Sequence, residues 1–233
     1  MRSRFALSAL LFAQVLALLL LGCVPGAQAR SPEPGTAQDA PLIPLLSPRT
    51  TRDDPRQMVR QGREAARCGD RDQAWELLTR AVNSTDMDQR SLADALVLRG
   101  SLGLGGVAPY QALADFRRAV ELAPATSGAL AWRALAWLEL GRTGPALDDA
   151  RRAVTLTPSV ALAHLALGRA LLAQERPGEA RDALDEAVRL DPGLGAALHD
   201  RALALRALGD PEAAGRDESR ARELSPVLPL PGS

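Results

Sequence analysis

A chain of 233 residues is long enough for one substantial core or one short solenoid. Hydrophobic residues make up 46% of it and aromatics only 3%, so the apolar surface is mostly Ala and Leu, which favours helices over sheets. Its 28 basic residues, all of them Arg, balance 28 acids to a formal net charge of +0, so no global field recruits nucleic acid.

Residues 1–22 have the layout of an export signal. Arg2 and Arg4 form a basic start, and an apolar run from Phe5 to Leu21 follows, broken only by Ser8 and Gln14. A run of this length also suits a retained transmembrane anchor. Leu20-Leu21-Gly22-Cys23 resembles a bacterial lipobox, which implies cleavage before Cys23 and lipidation of its thiol. Ala27-Gln28-Ala29 offers an ordinary small-x-small cleavage site instead. The absence of Lys is read as codon bias of a GC-rich bacterial genome. With Cys23 lipidated or removed, Cys68 stands alone, no intramolecular disulfide forms, and stability must come from packing.

Residues 23–54 are rich in Pro, Ser, Thr and Ala. Pro25, Pro32, Pro34, Pro41, Pro44 and Pro48 exclude a long helix, and a tether of root-mean-square span of roughly 30 Å is expected. Pro41-Leu42-Ile43-Pro44-Leu45-Leu46 is more apolar than a plain linker and suits either docking or an exposed extended segment.

An internal period organises the rest. Pro124, Pro158, Pro192 and Pro226 recur every 34 residues, as do Ala112, Ala146, Ala180 and Ala214, then Ala119, Ala153, Ala187 and Ala221, and Leu122, Leu156, Leu190 and Leu224. Gly62, Gly69, Ala74, Leu78 and Ala81 form one more copy upstream, offset by four extra residues. The pattern resembles the tetratricopeptide repeat, in copies 55–88, 93–126, 127–160, 161–194 and 195–228, leaving a tail at 229–233. The resemblance implies an all-α solenoid of five antiparallel helix pairs. Gly62, Gly100, Ala134, Gly168 and Ala202 take the small position of each first helix, and Gly69, Gly141 and Gly209 take its left-handed end. Pro109, Pro177 and Pro211 open second helices, where a missing N–H costs nothing. Trp137, Leu171 and Leu205, with Phe116 and Leu184, retain the large positions. Ala150 and Glu218 depart from them, leaving the packing of those copies open. In the last copy, Glu218 with Arg216, Asp217, Arg220, Arg222 and Glu223 suggests a polar end to the stack.

The inventory for catalysis is thin, and neither an enzyme nor a cofactor is expected. His164 and His199, with Asp200, fall on first helices of adjacent copies, where a packing or groove role is the commoner reading. No His and acid are arranged to activate Cys68, and no metal site is expected. Asp148-Asp149, Arg117-Arg118 and Arg151-Arg152 are read as a solvated outer face.

Binding is the better reading. In the family, first helices line a concave groove. Here that groove would show Arg56, Arg60, Arg63 and Arg67 first, then Val97, Leu98, Leu104, Trp132, Leu135, Leu138, Leu165, Arg169 and Leu172. Trp132 falls on the groove and Trp137 on a packing position. The Lys and Asn of the carboxylate-clamp subclass are absent, so capture of a C-terminal carboxylate is not implied. An apolar trough with a basic entrance suits a polypeptide carrying acids at one end. The expected role is an adaptor or scaffold for a protein or peptide partner, lipid-anchored at the bacterial envelope, with no nucleic acid. The alternatives are a self-associating envelope protein, with Leu42 to Leu46 in a neighbour's groove, or a pilotin-like assembly factor for a type IV pilus or secretion system.

Overall fold

The computed structural model describes residues 54–104 and 108–224. The expected export signal, Cys23, nearly all of the tether and the tail after Leu224 lie outside them. Among the described residues of the compact unit Arg49–Ser233, ten helices form five antiparallel pairs. The pairs are α1 Pro55–Arg67 with α2 Arg71–Val82, α3 Gln89–Gly103 with α4 Pro109–Leu122, α5 Ser127–Glu139 with α6 Thr143–Leu156, α7 Ala161–Leu172 with α8 Pro177–Leu190, and α9 Gly195–Ala207 with α10 Pro211–Leu224. No strand occurs among the described residues.

Local chemistry sets the boundaries. Pro109, Pro177 and Pro211 are the first residues of α4, α8 and α10. Pro124, Pro158 and Pro192 follow the last helical residue of α4, α6 and α8 by two positions, after which the chain turns back. Each first helix from α5 on, and α1, closes in a left-handed turn. Gly69, Gly141 and Gly209 stand at φ of 83°, 70° and 85°. The N–H of the residue after each glycine reaches back to Ala65, Trp137 and Leu205, covering a terminal carbonyl. The fourth copy uses Glu175 for the same turn at φ 58°, a conformation that costs an L-residue energy. The four extra residues ahead of the second copy, 89–92, add one turn to the start of α3. Asp88 caps that turn through the Ser91 amide.

Pairing is closest at the small positions. A Cβ at Gly62 would lie 2.9 Å from Leu78, and one at Gly100 would lie 2.7 Å from the Phe116 ring. Gly168 meets Leu184 in the same way. Where the facing residue is small, as at Ala150, the first helix carries Ala134 instead, and both are fully buried. The departure at Ala150 is therefore a compensated exchange. Phe116, Leu78, Leu96, Leu130, Leu184 and Leu198 are the largest fully buried side chains. At the C-terminal end α10 buries only Ala214 and Asp217, and Arg206 holds Glu218 at 2.8 Å, which leaves a polar outer face.

Candidate partner-binding face

First helices pack on first helices along the stack: α1 on α3, α3 on α5, α5 on α7 and α7 on α9. Second helices touch their own partner and the first helix that follows, and not one another. The first helices therefore crowd together on the inner side of the stack, and the residues they expose there form a continuous strip.

The sequence-predicted groove residues divide into three groups. Arg56, Arg60, Arg63 and Arg67 are all exposed along one side of α1. Arg56, Arg60 and Arg63 line a shallow cleft with Val59 of the same helix, and Met87, Ser91 and Asp94 form the opposite wall. Arg56 is held by Asp88 at 3.0 Å, and Arg67 lies 3.7 Å from Glu64. Asp88 accepts from Ser91 and from Arg56, which pulls its pKa from 3.8 to about 2. Val97, Leu98, Leu104, Trp132, Leu138 and Leu172 form the second group, each half-buried on or beside a first helix, and all but Leu98 pack against the core clusters.

The third group corrects the sequence reading. Leu135 and Leu165 are only 7% and 3% exposed and belong to the core clusters between copies. Stacking brings the neighbouring first helices over them, so little of either remains for a partner. The expected contrast between the two tryptophans is also absent. Trp132 stacks on Phe116, with ring centroids 6.2 Å apart and planes 12° from parallel. Trp137 is half-buried like Trp132 and packs against two core clusters, one of which it shares with Trp132. Arg169 is committed too, since its Nε donates to the buried carboxylate of Asp200 on α9.

The family model of the tetratricopeptide repeat matches residues 109–161, 145–195 and 165–229, together more than half of the chain. The chain belongs to the tetratricopeptide-repeat family. A solved structure similar to it is a thermophilic TPR protein of Thermus thermophilus, TTC0263, at 20% identity over 75% of this chain and 93% of that one, TM-score 0.65. MamA is similar at 21% identity, covering 71% and 94%, TM-score 0.51, and MamA from Desulfovibrio magneticus at 20%, covering 76% and 98%, TM-score 0.53. At these identities the likeness is one of fold. No curated protein matches the sequence.

Three of the tetratricopeptide-repeat copies also share an ion pair that the sequence reading missed. Arg99 donates to Asp115 through two nitrogens at 2.8 and 2.6 Å, Arg133 to Asp149 at 2.7 and 2.6 Å, and Arg201 to Asp217 at 2.6 and 2.7 Å. Each joins the two helices of one copy across 16 residues. Asp149 is thus buried, not part of the solvated face assigned to Asp148-Asp149, whereas Asp148 is exposed. The 34-residue register of Arg99, Arg133 and Arg201 carries the signal, but charge alone points to a solvated face. Copy four has Leu167 and Ala183 at these places, and copy one has Gln61 and Leu77.

The histidines serve packing. His164 is buried, with Nε2 2.8 Å from the Pro158 carbonyl oxygen. His199 Nδ1 lies 3.1 Å from Asp200, whose hydrogen bond raises the His199 pKa above its ordinary 6.5. Asp200 therefore joins Arg169 of copy four to His199 of copy five. No group of three or more His, Cys, Asp or Glu placed to hold a metal occurs among the described residues.

Proposed function

We propose that this tetratricopeptide-repeat protein is a non-enzymatic adaptor of the bacterial cell envelope that holds a partner polypeptide along the inner face of its first helices. The observation that carries the reading is the strip of half-buried apolar side chains, Val97, Leu98, Leu104, Trp132, Leu138 and Leu172, running from α3 to α7. Such a surface suits the apolar side of a helix or an extended segment, with the binding energy concentrated in a few central side chains. Envelope location rests on the apolar run over residues 5–21 and on Leu20-Leu21-Gly22-Cys23, where Cys23 would carry the lipid.

Photocrosslinking in the native cell tests the reading. A photoreactive residue at Leu98 or Leu138 on the inner face should crosslink to one polypeptide other than this chain. The same group at Tyr110 or Arg151 on the outer side should not. Crosslinks only between copies of this chain would replace the adaptor with a self-associating envelope protein. Membrane association that survives Cys23→Ser unchanged would remove the lipid anchor.

A further inference from the structure

The cleft between α1 and α3 gathers exposed cations on a concave surface. Arg60 and Arg63 stand three residues apart on α1, both exposed, and neither forms an ion pair or side-chain hydrogen bond among the described residues. Arg56, beside them, is already committed to Asp88. Val59 and Met87 give the cleft apolar walls, and Asp94 stands on the far side, exposed.

Building on the groove reading, we propose that this cleft takes an acidic run of the partner polypeptide, with Asp or Glu side chains on Arg60 and Arg63 and the apolar residues that follow continuing along Val97 and Leu98. Three features fix that chemistry. Arg60 and Arg63 are two separate cations, and with Arg56 they line ~10 Å of helix along the cleft, more than one terminal carboxylate spans, so a run of acids fits better than a chain end. Planar guanidinium groups pair with carboxylates through two parallel N–H bonds. Asp94 on the opposite wall is placed to accept from backbone N–H groups, which a polypeptide brings beside its acids and phosphatidylglycerol does not, and this favours a polypeptide over an anionic lipid surface.

The test uses the full chain with two fluorescein-labelled peptides, each of four leading Glu or four leading Gln residues ahead of one shared Leu- and Ala-rich body. Anisotropy should show the Glu peptide binding about tenfold more tightly at low salt, an advantage that fades as salt screens the charges. R60E/R63E should abolish that advantage and leave the weaker Gln-peptide binding in place. R117E/R118E, the same charge change on exposed arginines of α4, should retain it. Circular dichroism checks that both variants remain helical. Equal binding of the two peptides by the native chain overturns the inference while the groove reading stands. Equal loss in the two variants overturns it as unspecific attraction. Arg60- and Arg63-dependent binding of vesicles containing phosphatidylglycerol, with no preference for the Glu peptide, overturns it in favour of a membrane contact. Failure of both peptides, with the inner-face crosslinks of Leu98 still present, also overturns the acidic partner and leaves the adaptor reading intact.

Discussion

Gly100 and Phe116 face each other so closely that a single methyl group at Gly100 would come within 2.7 Å of the Phe116 ring. The two residues stand 16 apart, on α3 and α4, and the same relation recurs as Gly62 with Leu78 and Gly168 with Leu184. Where the second partner shrinks to Ala150, the first grows to Ala134. The pair shares one volume, divided differently between two helices.

Gly100→Ala should therefore destabilise the protein by roughly 1–3 kcal/mol through overpacking, although alanine is the better helix former. Phe116→Ala alone should cost about 3–5 kcal/mol, since it also removes the stack with Trp132. In the Phe116→Ala background, Gly100→Ala should become neutral or stabilising, because the double variant reproduces the Ala134–Ala150 pair. Urea denaturation of the four proteins measures this coupling. Additive costs would show that the close approach does not select glycine.

The Arg99–Asp115 pair makes a second coupled prediction. With side chains only 8% and 4% exposed, removing one partner strands a buried charge, so Asp115→Ala should cost about 3–5 kcal/mol. Replacing both, as Arg99→Leu with Asp115→Ala, copies Leu167 and Ala183 of the fourth repeat and should recover most of that loss. Part of the cost should remain, because Arg99 also lies over the Trp75 ring at 5.7 Å. Thermal and urea unfolding of both variants checks the order.

Glu175→Gly should stabilise the protein by about 0.5–1 kcal/mol. Glu175 occupies the left-handed turn at φ 58° that glycine fills in three other copies, and its side chain is exposed. The gain should raise the urea midpoint with an unchanged slope. A loss of stability would mean that the Glu175 side chain supports the turn more than its backbone strains it.

His199 predicts a pH dependence with a definite sign. Its pKa is raised in the folded state, chiefly by the hydrogen bond to Asp200, so the folded protein binds the proton more tightly than the unfolded chain does. The resulting stability is fully present below about pH 6.5 and is lost as pH rises through the folded value. The melting temperature should fall between pH 6 and pH 8, and His199→Gln should flatten that slope. The effect is modest, since the side chain keeps 31% of its exposure. A slope that persists in His199→Gln would show that His199 is not its source.

By itself, the sequence determined the architecture. A 34-residue recurrence of small residues, helix-opening prolines and turn glycines has one consistent geometry, because each marks a position where the backbone admits few alternatives. Trp132, Leu135, Leu165 and Asp149 show what it left open. Their place in the period says which helix they occupy and roughly which way they point, but not how far the neighbouring copy reaches over them. Only the stacked structure decided that Leu135 and Leu165 are covered, that Trp132 stacks on Phe116, and that Asp149 is buried against Arg133. These are contacts between helices 16 or more residues apart, and their closeness depends on side-chain volumes summed across two helices. The cleft beside Arg60 and Arg63 arose in the same way: the sequence placed the arginines on one side of α1, and packing of α3 supplied the opposite wall.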